Sequence, residues 1–197
     1  LLMDSWDHPI KQPWYVLPKK FYTWNTDLGK DILEFQGYKS NGELTFPFKF
    51  RYLTEFQHSM PNIQDARIKQ EIDFIETNKE NYFLYICTYS SFSPNHIFRE
   101  EIKLIKYLIS YSKSKNICLY IKPHPHYSKE DFDFIDSNDP SVRVGLGALK
   151  HGYNYFFSNE EMLYKYKILR HAKTIFNLGT TLVLEACYIN KNVIQIK

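Results

Sequence analysis

Tyr82-Phe83-Leu84-Tyr85-Ile86-Cys87-Thr88 is an apolar, aromatic run of strand length, and it opens a stretch reaching Ile196 in which strand-like and helix-like segments alternate. Ser90, Ser91 and Ser93-Pro94 follow as a helix start with proline near the first turn. Phe98, Ile102, Ile105 and Ile109 then recur at four-three-four spacing, one stripe of an amphipathic helix. Ile117–Lys122 is the next strand. Ser128 with Asp131 has the spacing of a capping box, opening a short helix that carries Phe132 and Ile135. Val142–Val144 reads as a short strand and Gly145–Phe157 as a loop. Ser158 and Glu161 form a second capping-box pattern, with a helix to about Arg170. Thr174–Asn177 is a strand, Gly179 a turn, Thr181–Ile189 a helix and Val193–Ile196 a final strand. This alternation predicts an α/β fold, a Rossmann-like parallel sheet flanked by helices.

Before this stretch, Phe21–Trp24 reads as strand, Thr26–Gln36 as helix and Glu43–Phe46 as strand, the close of a preceding domain. The expected organisation is residues 1–56 as the end of an N-terminal Rossmann-like domain, 57–80 as a linker helix, and 81–197 as a nucleotide-binding domain. The apolar stub Leu1–Met3 and the terminal strand suggest a segment excised from a longer polypeptide, whose missing N-terminal domain would be a partner.

With 197 residues, 44% hydrophobic and 24% charged, the chain has the composition of a soluble globular protein. The 17% aromatic share fits either a sugar-stacking surface or the Lys-, Ile-, Asn-, Phe- and Tyr-rich bias of an AT-rich genome. A net charge of +3 is too small for a nucleic-acid binder, though mild basicity attracts an anionic substrate or membrane surface. Cys87, Cys118 and Cys187 are widely spaced in apolar runs, as expected of buried free thiols in a reducing compartment. No apolar run approaches the ~18 residues of a membrane span, and no signal-peptide pattern opens the chain.

In open parallel α/β sheets, ligands bind outside the carboxyl ends of the strands. Three strand-end loops therefore carry the candidate chemistry. In Lys122-Pro123-His124-Pro125-His126, two prolines restrict the backbone around an imidazole that donates to a phosphate oxygen, and Lys122 adds a point charge. Gly179-Thr180-Thr181 supplies a sharp turn, hydroxyls and helix N–H groups for a phosphate, and Glu185 one turn on suits ribose hydroxyls. Thr88-Tyr89-Ser90-Ser91 offers further hydroxyls toward phosphate or acceptor. Asp7, with His8 beside it, is the candidate general base for an acceptor hydroxyl. The remaining histidines lack zinc spacing, and the pairs Glu100-Glu101 and Glu160-Glu161 read as solvated or first-turn helix charges.

The Lys122–Pro125 string resembles the HP motif of bacterial sialyltransferases and CDP-glycerol glycerophosphotransferases. The run Ile168–Asn177, followed by Gly179-Thr180-Thr181 and Glu185-Ala186, resembles the nucleotide loop and following helix of the same GT-B enzymes of capsule, lipooligosaccharide and teichoic-acid synthesis. Ser5-Trp6-Asp7, Trp24-Asn25 and Glu34–Tyr38 look like the close of their N-terminal domain.

The resemblance implies a GT-B type C-terminal domain in a bacterial glycosyltransferase with a CMP-, CDP- or UDP-linked sugar or polyol donor. It implies a glycan or lipid-linked acceptor, no cofactor or bound metal, and a cytoplasmic location, with peripheral association at the inner face of the membrane. It further implies that His124 contacts donor phosphate with Lys122 or His126 assisting, that Thr180 and Thr181 bind phosphate, and that Glu185 binds ribose. Thr-Thr stands where Ser-Ser or Ser-Thr is commoner, and Phe46-Pro47-Phe48 where a glycine turn is usual. Two other readings stay open. One is a sugar-nucleotide isomerase of the UDP-N-acetylglucosamine 2-epimerase type, and the other a non-catalytic nucleotide-sugar-binding module.

Overall fold

The computed structural model describes residues 21–23, 42–44, 50–57, 60–88, 94–128, 130–146 and 158–196. The chain divides into two compact units, Leu1–His58 and Ser59–Lys197. In the first, β1 (Phe21–Thr23) pairs in parallel with β2 (Gly42–Leu44). The short helix α1 (Arg51–Glu55) follows, with Tyr52 and Leu53 buried. Asp7 and the expected helix at Thr26–Gln36 lie outside the described residues.

The second unit is a five-stranded sheet in the order β5-β4-β3-β6-β7, in which every pairing is parallel. Its strands are β3 (Tyr82–Ile86), β4 (Cys118–Lys122), β5 (Val142–Val144), β6 (Thr174–Asn177) and β7 (Val193–Gln195). β3 is central, and all five of its residues are buried. This is what an unbroken apolar run without a polar face requires. The chain runs outward from β3 through β4 to β5, then crosses back to β6 and β7, so the strand order reverses between β3 and β6.

Strand alternation sends successive side chains to opposite faces. On one face Phe83, Tyr85, Cys87, Leu119, Ile121 and Phe176 form a core with Ile105 and Leu108 of α3 (Pro94–Ser114). On the other, Tyr82, Leu84, Tyr120 and Ile175 are buried on the side of α2 (Ala66–Thr77) and α4 (Asn159–Arg170). The Tyr82 hydroxyl donates to the carbonyl of Ile168 in α4 at 2.7 Å. The last helix, α5 (Leu182–Tyr188), leads into β7. Asn116 and Asn190, at φ 53 and φ 57, turn the chain out of α3 and α5 in the left-handed region that asparagine tolerates.

The buried stripe of α3 differs from the one read in the sequence. Glu101, Ile105, Leu108 and Ser112 are its most buried positions, whereas Ile102 and Ile109 are only half-buried. The helix is rotated by about one position, which brings a carboxylate inside. Ser158 and Glu161 make both bonds of the capping box at the start of α4. At Ser128 half of the box forms, with Asp131 Oδ2 accepting from the Ser128 N–H at 2.7 Å and from its hydroxyl at 3.1 Å, and the single 3-10 turn Glu130–Phe132 follows. Helix α2, expected to link two halves, falls within the second unit and packs against α4. Glu76 of α2 receives Lys167 of α4. Of the three cysteines only Cys87 is buried; Cys118 is half-buried, and Cys187, on the outward side of a short amphipathic helix, is exposed.

A polar network ties the second face together. Tyr120 donates to Glu71 Oε2 at 2.5 Å and meets the Tyr164 hydroxyl at 2.8 Å, while Arg143 Nη2 donates to Glu71 Oε1 at 2.6 Å. Gly145 is packed onto this network, since a Cβ there would sit 2.3 Å from the Tyr120 hydroxyl and 2.6 Å from its ring. Gly145→Ala should therefore displace Tyr120 and lower unfolding stability by about 2 kcal/mol, in the range of overpacked cores. Denaturant melts test this; an unchanged midpoint would mean that the ring yields without loss.

Candidate functional site

The carboxyl ends of β4, β3 and β6 lie level. Ile86 is in register with Lys122 on one side and with Asn177 on the other, and Asn177 with Gln195. Adjacent strands are ~4.8 Å apart, so the turns after β4 and β6 start about 10 Å from each other, with the end of β3 between them. This rim includes the crevice at the strand-order reversal, where α/β sheets bind ligands.

Lys122 ends β4 on the α4 side. Its ammonium donates to the carbonyls of Leu146 at 2.7 Å and Pro123 at 3.2 Å, and lies 5.9 Å from the centre of the Tyr164 ring. No carboxylate pairs with it among the described residues. Burial pulls its pKa down to about 8, and the positive charge of Lys165 pulls the same way. The amine is still protonated at neutral pH.

Beyond it the Pro123–Tyr127 turn closes through the Tyr127 N–H to the His124 carbonyl, 2.9 Å. His124 is half-buried, and its Nδ1 accepts from the His126 N–H at 3.3 Å. The two imidazoles stack at 5.2 Å, with His126 on the exposed side. Burial lowers the His124 pKa to about 4, helped by the charges of His126 and Lys122. The ring is thus neutral across the ordinary pH range. Because Nδ1 is an acceptor, the ring proton sits on Nε2, which makes His124 a neutral hydrogen-bond donor.

At the end of β6, Gly179 has φ 133, a conformation that a side chain would strain. Its carbonyl accepts from the Thr88 hydroxyl at 3.4 Å, which joins the loop after β3 to the loop after β6. Thr180 Oγ1 accepts from the Leu182 N–H at 3.4 Å. Thr181 is exposed at the start of α5, and its side chain makes no cap bond. The structure thus gathers Lys122, His124, Thr88 and Gly179–Thr181 along one rim. Ser90 and Ser91 lie outside the described residues.

Glu185 is placed deeper than the spacing suggested. It is 2% exposed, and Lys165 of α4 engages its Oε1 at 2.8 Å and Oε2 at 2.7 Å. Lys122, held by carbonyl oxygens, and the Lys165–Glu185 pair thus stand together on the α4 side of the rim, where the Lys122 ammonium is suited to an anionic group.

Sequence reading missed two residues here. Asn177, fully buried at the end of β6, donates weakly from Nδ2 to the Ile194 carbonyl at 3.4 Å, and its Oδ1 has no hydrogen-bond partner among the described residues. Glu101, read as a solvated charge, is also fully buried. Its Oε1 accepts from the Tyr85 hydroxyl at 2.8 Å and the Thr88 N–H at 2.7 Å, and its Oε2 from the Tyr127 hydroxyl at 2.9 Å. Its i, i+4, i+7 relation to Ile105 and Leu108 was the available signal. Among the described residues no helix is long and apolar enough to cross a membrane. No group of three His, Cys, Asp or Glu residues suited to a metal occurs among them.

The His124 geometry makes a pH prediction. Its folded-state pKa, about 4, lies below the ordinary histidine value of 6.5, so the folded protein binds this proton less readily than the unfolded chain. Its contribution to stability is full above the unfolded value and lost progressively as pH falls from there through the folded value. Histidine NMR titration should show residue 124 as the Nε2–H tautomer with a midpoint near the lower figure. A midpoint at or above the unperturbed value would contradict the burial and the Nδ1 bond.

No protein-family model matches the chain, and no curated protein sequence matches it. Among solved structures it is similar to a UDP-N-acetylglucosamine 2-epimerase from Rickettsia bellii, with a TM-score of 0.55 and 14% sequence identity. The match covers 91% of this chain and 42% of that one, so the chain spans less than half the length of that structure. The likeness is one of fold: a Rossmann-like α/β sheet flanked by helices, of the GT-B type.

Proposed function

We propose that the chain is the nucleotide-binding half of a GT-B glycosyltransferase that takes a CMP-, CDP- or UDP-linked sugar or polyol in surface-polysaccharide synthesis. The observation that carries this reading is the level ending of β4, β3 and β6. The turn that follows Lys122, whose ammonium has no carboxylate partner among the described residues, and that carries the neutral Nε2–H imidazole of His124 thus starts about 10 Å from the turn after β6.

In this reading Lys122 and the His124 Nε2–H approach one oxygen set of the donor phosphate. Thr180, Thr181 and the adjoining N–H groups hold the other, with Thr88 nearby; Ser90 and Ser91 remain candidates for phosphate or acceptor from the sequence. Glu185 takes ribose hydroxyls, which as donors share its oxygens with Lys165. As the bond from sugar carbon to phosphate oxygen breaks, or for a polyol donor the P–O bond of the diphosphate, negative charge grows on the leaving nucleotide, and these fixed groups stabilise it. A base, for which Asp7 is the candidate, removes the acceptor proton. The acceptor is a glycan or lipid-linked chain, and the enzyme works at the cytoplasmic face of the membrane.

A second reading, a sugar-nucleotide isomerase, is favoured by the likeness to the Rickettsia epimerase. Incubating the full-length protein with UDP-N-acetylglucosamine alone and assaying for the manno epimer separates the two.

A thermal-shift panel of CMP, CDP, UDP and their sugar conjugates tests nucleotide binding. A ligand at ~100 times its Kd stabilises by about 2.7 kcal/mol, and no shift with any of them would refute the reading. In the full-length enzyme, His124→Ala should lower transfer by at least about tenfold, the scale of losing one donor to a developing charge. Wild-type turnover would remove His124 from the site.

A further inference from the structure

We propose that Glu101 is a positioning residue that binds the loop after β3 and the Lys122–Tyr127 turn into a single ligand-holding unit. This rests on the reading of the rim as a nucleotide site, but the arrangement behind it is independent of that reading.

A carboxylate with no exposure is costly to keep inside a protein unless its oxygens are filled. Glu101 meets that condition with donors from three different segments. Tyr85 lies within β3, Thr88 begins the loop after β3, and Tyr127 closes the turn that carries His124. The Tyr127 ring also meets the His124 ring edge-on at 6.3 Å, so fixing Tyr127 limits where the imidazole can stand. On the far side, the hydroxyl of Thr88 reaches the Gly179 carbonyl. One side chain of α3 therefore stands behind two strand-end loops, and through Thr88 it adjoins the third.

The two oxygens divide the task. Oε1 serves β3 and its loop, and Oε2 serves the His124 turn. A glutamine in this position keeps its carbonyl oxygen for the Thr88 N–H and can reach Tyr127 only by donating to a reversed phenol hydroxyl, so the charge-assisted hold on the His124 turn becomes a weaker neutral one. Burial pushes the Glu101 carboxyl above its usual range, against the pull of its three donors. Acid therefore weakens the same attachments.

The test uses Glu101→Gln, Tyr127→Phe and Tyr85→Phe in the full-length protein. Amide hydrogen exchange at Thr88, the NMR signals of the His124 ring and nucleotide affinity are measured for each, alongside thermal stability. Tyr85→Phe is the control, because it removes a donor to the same carboxylate without touching either loop. Glu101→Gln and Tyr127→Phe are expected to weaken nucleotide binding by about tenfold or more, the equivalent of one charge-assisted hydrogen bond. They should also shift the His124 signals, whereas Tyr85→Phe should leave affinity and the ring unchanged for a comparable loss of stability.

Equal loss of affinity in all three variants would reduce Glu101 to a stability element and overturn the proposal, as would an unmoved His124 ring in Tyr127→Phe. Should Glu101→Gln fail to fold, the comparison of the two tyrosine variants decides alone. If the wild-type protein binds no nucleotide, the nucleotide reading fails, and the exchange and ring signals still judge the clasp.

Discussion

The register of β3 with both its neighbours is the constraint from which the rest follows. Parallel pairing of Ile86 with Lys122 and with Asn177 ends three strands in one row, and the chain must then leave the sheet at three adjacent points. A one-residue slip of β4 would turn Lys122 to the α3 face and drive Leu119 and Ile121 out of the core they share with Phe83 and Tyr85. Apolar packing on both faces thus fixes the position of polar groups that contribute little to it. The rim is chemically rich because the sheet beneath it admits one alignment.

Charge is distributed unevenly about that row. On the α4 side, Glu71 is matched by Arg143 and Glu185 by Lys165, while Lys122 is left with carbonyl partners. On the α3 side, Glu101 is surrounded by neutral donors. Among the described residues, a cation hydrogen-bonded to carbonyls and a carboxylate hydrogen-bonded to neutral donors therefore stand on opposite faces of the same sheet, near the ends of neighbouring strands. The first is suited to receive an anion. The second holds in place the loops through which that anion would be contacted, and its burial keeps water from competing for those bonds.

Much of the fold was legible because its signals are local. Strand-length apolar runs, the Ser158–Glu161 capping box and the alternation of strand with helix all declare themselves within a few residues. The turn carrying Lys122 and His124 was legible for the same reason, as two prolines directly after a strand. What escaped depends on partners far away in the chain. Glu101 looks like a surface charge until Tyr127, 26 residues later, folds over it. Glu185 looks open until Lys165 crosses from a neighbouring helix. The contacts of α2 escaped as well, because its polar sequence gave no hint that Glu71 and Glu76 meet Tyr120 and Lys167 on the second face.

The central claim is that the turn after β4 and the turn after β6 act on one anionic group. Titrating the full-length protein with CDP while following the His124 ring nitrogens and the backbone amides of residues 179–182 by NMR tests it most directly. The account predicts that both sets of signals move together along one saturation curve, with a single dissociation constant. Response of one turn without the other, or two separate curves, would contradict it.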